Sequence, residues 1–568
     1  MDTDDTTPVP SPCGVDDAQI VSTVGKIFTC GSTEFIGDTT GQVITPERNN
    51  ADKLNTPSFE TPIHVEVCVS QFNVERPPVV EGHVVEFLRS LGPRHVPTVL
   101  NSCENHFSAT TSDKAVERAA EFLTNCVTSI SLLLDEADEF EGYDTGKSVD
   151  LCTIPLLVHI YQLVSGDEAL PVHEMVEVGS ETINGGTTWM LPSMEMQGLW
   201  DSLVFDTDIK LDLLSYAQTA LLFADKNVSP SIISWNRVVL LYGPPGTGKT
   251  SLCRALANKL AIRMADRYSS AKLIELNTMN LMSKWFSESA RLVARMFDAI
   301  KEYLESSNNL VCLLVDEVES LTAVRSSAMS GCEPSDAIRV VNAVLTQIDQ
   351  IKRYPNVIIL ATSNVTGVID PAFLDRADIR LFIGPPSAPA IYSIYRSCIS
   401  ELVRVGLLQA REINLLSYQA LKAMRFTETK MNSLSLALWR LAQGSVGLNG
   451  RTLRKLPLLA HAFHLTKVIP GLRSHASFSG RLHLSGFGSS DSLSSNTERT
   501  MDSVELLRRE CPQIPISIST FIQALQLTVE AQFAEVEALD LASSQKGRLS
   551  RDFSHSRSVV PLGPTGDR

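Results

Sequence analysis

The stretch Gly243-Pro244-Pro245-Gly246-Thr247-Gly248-Lys249-Thr250 constrains this chain more than any other. It follows the apolar run Val238-Val239-Leu240-Leu241, which reads as a buried strand, and precedes Ser251 to Arg263, where Leu252, Leu256 and Leu260 share one helical face. Strand, glycine loop and helix are the setting in which backbone N–H groups can surround phosphate oxygens. At the spacing Gly-x4-Gly-Lys-Thr, Lys249 reaches the outer phosphates and Thr250 offers a hydroxyl to Mg²⁺, while the helix N-terminus favours an anion. A ligand-free Gly/Pro turn is the plain alternative, and the complete match with both flanks argues against it. A bound nucleotide is expected.

Composition narrows the use made of that nucleotide. At 568 residues the chain exceeds a single core, and about three or four domains are expected. A formal net charge of −16 repels phosphate backbones, so a dedicated nucleic-acid motor is disfavoured. The 11 cysteines include no CxxC or Cys/His cluster at metal spacing, which suits reduced thiols in cytosol or nucleus. Met1-Asp2-Thr3-Asp4-Asp5 lacks the cationic and apolar regions of a signal peptide, and no apolar run approaches membrane-spanning length. The expectation is a soluble intracellular protein with no membrane partner.

Taken in order, residues 1–60 are rich in Thr, Pro, Gly and Asp and read as a disordered tail. A folded N-terminal domain over 61–185 opens with the strict alternation Ile63-His64-Val65-Glu66-Val67-Cys68-Val69, the pattern of a half-buried strand. Nothing in it has catalytic spacing, and it reads as an α+β recognition domain. Its end, Val176 to Thr188 with Gly185-Gly186, reads as a linker, and Trp189 and Trp200 read as packing residues at a domain junction. The nucleotide domain spans 186–385 and a smaller helical domain 386–542, interrupted by a Ser/Gly-rich insertion at about 470–512. Residues 543–568 read as a second tail.

Two further strands carry chemistry. Leu313-Leu314-Val315 runs into Asp316-Glu317, a carboxylate pair that could hold Mg²⁺ through Asp316 and take a proton from water through Glu317. Val357 to Thr362 delivers Ser363 and Asn364, whose neutral amide could orient that water. Strands alternating with helices give an α/β fold: a doubly wound parallel sheet with its ligand at the strand ends, a helical lid and an α+β N-terminal domain.

The segments Gly243 to Thr250, Leu314 to Leu321, Glu333 to Lys352 and Asn356 to Asn364 look like an AAA+ ATPase. More narrowly, Ser283-Lys284-Trp285-Phe286-Ser287-Glu288-Ser289, Asp375-Arg376-Ala377-Asp378-Ile379 and Gly450-Arg451-Thr452-Leu453-Arg454-Lys455-Leu456-Pro457 resemble the pachytene checkpoint protein 2 family, also called thyroid receptor-interacting protein 13. The resemblance implies a homohexameric ATPase using ATP and Mg²⁺. Members of that family convert HORMA-domain proteins from closed to open forms, with a comet-type adaptor in the spindle checkpoint and axis proteins in meiosis. Nuclear and cytoplasmic, chromosome-associated localisation follows from the same resemblance.

Carried over by residue, the resemblance implies that Gly243 through Ser251 cradle the nucleotide, with Asp316 and Glu317 as the Walker B pair and Asn364 as first sensor. Arg451 would be the second sensor, Trp285 and Phe286 would line a substrate pore, and Arg376 would be the finger reaching a neighbour's site, with Arg380 the second choice. In the commoner pattern of the wider class, arginines stand where this chain has Asp375 and Asp378. A surface salt bridge is the alternative reading of Arg376. The rival functions are a general unfoldase with another client and a nucleotide-controlled binding scaffold.

Overall fold

Leu310–Val315 and Val357–Ala361 are continuous apolar runs, as strands covered on both faces must be. In the computed structural model they lie at the centre of a seven-stranded sheet. Its order is Ile379–Phe382, Val238–Tyr242, Val357–Ser363, Asn309–Asp316, Ser270–Asn277, Glu181–Leu191, Val172–Val178. The first five strands are mutually parallel, and the last two form an antiparallel hairpin on the edge. The structure describes residues 62–464, apart from 72–74, 97, 102–106, 108–112, 135–146, 166–170, 179–180, 278–288, 321–334, 365–368, 370 and 410–414, and resumes over 516–555. The expected tail over 1–60 and the insertion at about 470–512 lie outside the described residues.

One face of this sheet is covered by helices Ser289–Leu304 and Ser335–Ile351, which bury Val293, Phe297, Ile300, Val344 and Ile348 against it. The other face meets Ile209–Asp225 and Lys249–Arg263 through Leu213, Leu221, Leu252, Leu256 and Leu260. This is the doubly wound layering expected from the alternation of strands and helices. The edge hairpin corrects the linker reading of Val176 to Thr188. Gly186 pairs with Leu276, and a Cβ there would stand 2.9 Å from the Glu275 carbonyl oxygen, so the glycine serves close strand approach rather than a loop. The ATPase sheet therefore takes in Val172–Val178, and the boundary drawn at 185 moves towards the N-terminus. Trp200 is buried and Trp189 packs beside the same core, as expected of junction aromatics.

The lid comprises Ala388–Arg404, Tyr418–Ala423, Ser433–Gly444, Gly450–Leu459, the π-helical turn Ala460–His464 and the long helix Ile518–His555. Tyr392, Tyr395, Leu438, Leu453, Phe521 and Leu525 share its core. Segments on both sides of residues 465–515 thus pack into one lid core, with Ile516 and Ile518 joining it from the C-terminal side. Its last helix runs on to His555, so helix replaces the tail expected over 543–568 as far as that residue, and the remainder lies outside the described residues.

The N-terminal domain is a four-stranded sheet, ordered Thr98–Asn101, Val127–Leu134, Ile63–Val69, Leu156–Gln162, packed on helices Pro77–Ser90 and Lys114–Cys126. Ile63, Val65 and Val67 face those helices, yet His64, Glu66 and Cys68 on the opposite side are also buried. The half-buried expectation fails because this second face docks on the glycine-loop helix. Lys259 Nζ stands 2.7 Å from Glu66 Oε1, and Arg263 Nε donates to the same oxygen at 2.7 Å. Burial alone would raise the Glu66 carboxyl, but the two cations prevail and hold it below the usual carboxylate range. His64 Nδ1 lies 2.9 Å from His159 Nε2 beside this triad.

His159 is pushed down to about 4, first by burial and then by the Arg263 charge, with His64 and Lys259 adding to it and Glu66 opposing. An unfolded histidine titrates near 6.5, so between that pH and about 4 the unfolded chain binds a proton that the folded domain refuses. Stability should fall on acidification through that window, by on the order of 3 kcal/mol at most. Urea unfolding followed from pH 7 to pH 4 checks this, and His159→Gln should flatten the slope.

Candidate functional site

The glycine loop is bent by positive φ at Gly243, Gly246 and Gly248. At Gly246 the constraint is double: φ is 78°, and a Cβ would stand 2.8 Å from the Asn449 side chain. Asn449 caps the lid helix Gly450–Leu459 by accepting from the Thr452 N–H at 2.8 Å, and the Arg451 N–H donates to the Gly246 carbonyl at 3.0 Å. Lid and loop therefore meet backbone to backbone. Pro245 is exposed at the loop tip, Pro244 is half-buried, and Thr247 Oγ1 donates back to the Pro244 carbonyl at 3.0 Å. Ser251 stands half-buried in the first turn of the helix.

Lys249 is buried, and its Nζ donates to the carbonyls of Gly243 at 3.0 Å and Pro244 at 2.8 Å. Burial pulls its ammonium below the usual lysine range. Glu319, Asp316 and Glu317 oppose that shift, while Arg451 adds to it, placing the exposed Arg451 within electrostatic reach of the loop. Thr250 Oγ1 donates to Asp316 Oδ1 at 2.9 Å, and the Thr362 hydroxyl donates to that same oxygen. Glu317 adopts φ 56°, its N–H directed at Thr362 Oγ1 at 3.3 Å. Asn364 Nδ2 donates to Glu317 Oε1 at 3.3 Å. Lysine, hydroxyl, carboxylate pair and amide thus converge at the C-terminal ends of adjacent parallel strands, where ligands of such sheets bind.

Arg376 is engaged by neighbouring groups of this same chain. Its Nε and Nη2 form a forked pair with Asp349 at 2.9 Å and 2.6 Å, and Nη1 donates to the Ala372 carbonyl. Arg380 Nη2 donates to the Leu374 carbonyl at 2.7 Å. Asp378 accepts from Tyr216 Oη at 2.6 Å, Asn236 N at 2.7 Å, Asn236 Nδ2 at 3.1 Å and Arg237 N at 2.7 Å. A carboxylate so fully used is structural, which explains why this chain keeps an aspartate there. Trp285 and Phe286 lie outside the described residues.

Beside the loop is a cavity of about 210 Å³, lined by Val204, Phe205, Ile209, Ile383 and Ile394 and by Thr247 of the loop and Gly450 of the lid. These apolar walls suit a flat heteroaromatic base. The sequence alone does not single them out. Their main signal is an apolar Leu203-Val204-Phe205 run between the short helix Leu199–Ser202 and the helix Ile209–Asp225, which reads equally well as packing. Thr362 and Glu319 were also missed, because a threonine ending a strand and a second acid after Asp316-Glu317 carry no spacing signature of their own.

Residues 239–385 match the family model for the ATPase family associated with various cellular activities, and 387–475 match the TRIP13-like AAA+ ATPase lid C-terminal domain. The glycine loop, strand-end carboxylates and abutting lid thus define a nucleotide-binding AAA-type ATPase. The pachytene checkpoint protein 2 homologue of Homo sapiens is 52% identical over 344 residues, covering 61% of this chain and 78% of that protein. The homologue of Danio rerio is 46% identical over 403 residues, covering 71% and 88%. The solved structure of C. elegans PCH-2 aligns with TM-score 0.58 at 28% identity, covering 84% of this chain and 100% of that one. The chain belongs to the pachytene checkpoint protein 2 family.

Gly246→Ala tests the contact between loop and lid. The added methyl is strained by the positive φ and meets Asn449, so nucleotide affinity should fall about tenfold, equivalent to about 1.4 kcal/mol. Titration with a fluorescent ATP analogue reads the affinity, and unchanged far-UV circular dichroism shows that the fold survives.

Proposed function

We propose that this chain forms a homohexamer that uses ATP and Mg²⁺ to convert HORMA-domain proteins from closed to open form, with a comet-type adaptor. Family membership across ATPase domain and lid carries this reading, and the strand-end cluster supports it by holding the groups that hydrolysis needs. The work would lie in spindle checkpoint silencing and meiotic chromosome-axis control, in nucleus and cytoplasm.

In this reading the cavity beside the loop takes the adenine, and the loop amides with Lys249 and Arg451 take the phosphates. Thr250 and Asp316 already share one oxygen contact at 2.9 Å, the donor set that would hold Mg²⁺. The ion supplies charge neutralisation at the phosphates. Glu317 takes the proton of the attacking water, and Asn364 orients it. Arg376 is the finger for a neighbouring site, and to reach across it must leave Asp349. Both partners of that pair are partly exposed, so separation costs only about 1 kcal/mol or less. A trans finger makes turnover depend on assembly, and a repeated heterologous contact closes naturally into a ring. Trp285 and Phe286 would grip the client by apolar contact in the pore.

Glu317→Gln keeps the side-chain shape and cannot accept the proton. It should bind ATP normally and hydrolyse it at least about a hundredfold more slowly. Incubating wild type and variant with a closed HORMA-domain protein, adaptor and ATP, then measuring the open form, tests the function directly. Conversion by wild type and none by the variant is expected. An active ATPase that leaves the HORMA protein closed, with adaptor present, overturns the client assignment.

A further inference from the structure

The parallel ladder between Asn309–Asp316 and Val357–Ser363 ends with Val315 opposite Ala361. Past that point the two strand ends, which carry Glu317 and Asn364, are held together by other means. Val318 N–H donates to the Thr362 carbonyl at 3.0 Å, and the Val318 side chain is anchored in the sheet core. One step further, the Asn364 N–H donates to Glu319 Oε1 at 3.0 Å. Glu319 thereby does for Asn364 what a strand carbonyl would do if the ladder continued. Its own placement is set by the turn at Glu317, closed by Ser320 N–H and Oγ donating to the Glu317 carbonyl at 3.0 Å and 2.7 Å.

We propose that Glu319 is a positioning residue for ATP hydrolysis: by holding the backbone of Asn364 it keeps that residue's amide directed at Glu317. The proposal rests on the roles given to Glu317 and Asn364 above. Losing this tie would free the Asn364 backbone just past the last strand residue, and its amide, 3.3 Å from Glu317 Oε1, would lose its aim. The geometry also explains the residue type. The acceptor must come from the opposing turn and reach past Val318, which suits a long side chain ending in an oxygen. Glu319 Oε2 is buried with no hydrogen-bond partner among the described residues, so one oxygen alone makes the tie. The same carboxylate is the foremost counter-charge to Lys249, a separate effect that the choice of variants isolates.

Glu319→Gln keeps an oxygen acceptor at the same reach and removes the charge, whereas Glu319→Asp keeps the charge and is one methylene short. Steady-state ATPase kinetics and binding of a fluorescent ATP analogue are measured on the full chain for these two, Glu319→Ala and Glu317→Gln. Loss of alignment in Glu319→Ala should lower kcat about ten- to a hundredfold, with nucleotide affinity changed by less than about threefold. Gln should recover most of that loss, and Asp should behave like Ala. Wild-type kcat in Glu319→Ala, or an active Asp beside an inactive Gln, overturns the proposal, the second outcome assigning the effect to charge near Lys249. Should Ala lower the melting temperature, the Gln and Asp pair decides alone, and Gln as slow as Asp is then the refuting result. Wild-type turnover in Glu317→Gln would instead remove Glu317 as the base, whatever the Glu319 variants do.

Discussion

One carboxylate oxygen organises the site. Asp316 Oδ1 receives the hydroxyls of Thr250, from the helix after the glycine loop, and Thr362, from the neighbouring strand. Three separately folded segments are thereby brought into register at a point where the ladder itself has ended. A charged acceptor makes each such bond stronger than a neutral pair, and in a half-buried setting it tolerates little displacement. The positive φ at Glu317 follows from the same constraint: the chain must turn at once to present one carboxylate to Thr250 and the next to Asn364.

Polar groups also settle questions that packing leaves open. Asp378 ties the end of the helix Pro371–Leu374 to the turn before the glycine-loop strand, while Asp349 holds Arg376 two-pronged. Asp206 accepts from Ser387 N at 2.8 Å at the start of the lid, linking the segment that lines the cavity to the hinge between the domains. None of these carboxylates reads as functional in spacing, yet Asp349 holds Arg376, Asp378 fixes the approach to the glycine loop and Asp206 fixes a cavity wall.

The sheet, its layers and the converging motifs were legible in the sequence because they rest on local patterns: continuous apolar strands, a glycine loop at fixed spacing, and acids at a strand end. What was hidden depends on partners distant in the chain. Gly185-Gly186 looks like a loop until Glu275 is known to lie against it. The polar side of Ile63–Val69 looks solvated until Lys259 and Arg263 are known to face it. Glu319 becomes visible only once Asn364 is beside it. The long terminal helix was cut short because its polar end, Ser543 onward, lacks the apolar periodicity that marked Phe521, Leu525 and Val529.

The helix Lys249–Arg263 is held at both ends by different parts of the protein. Its first residue belongs to the nucleotide loop, and its last, about 21 Å further along, grips Glu66 of the N-terminal domain. Any shift of this rod that distinguishes ATP from ADP at one end must be felt as a change in docking energy at the other. Thermodynamic reciprocity then requires that whatever pulls on the N-terminal domain alters nucleotide affinity by the same factor. Load on that domain and the state of the nucleotide would be coupled through a single rigid lever.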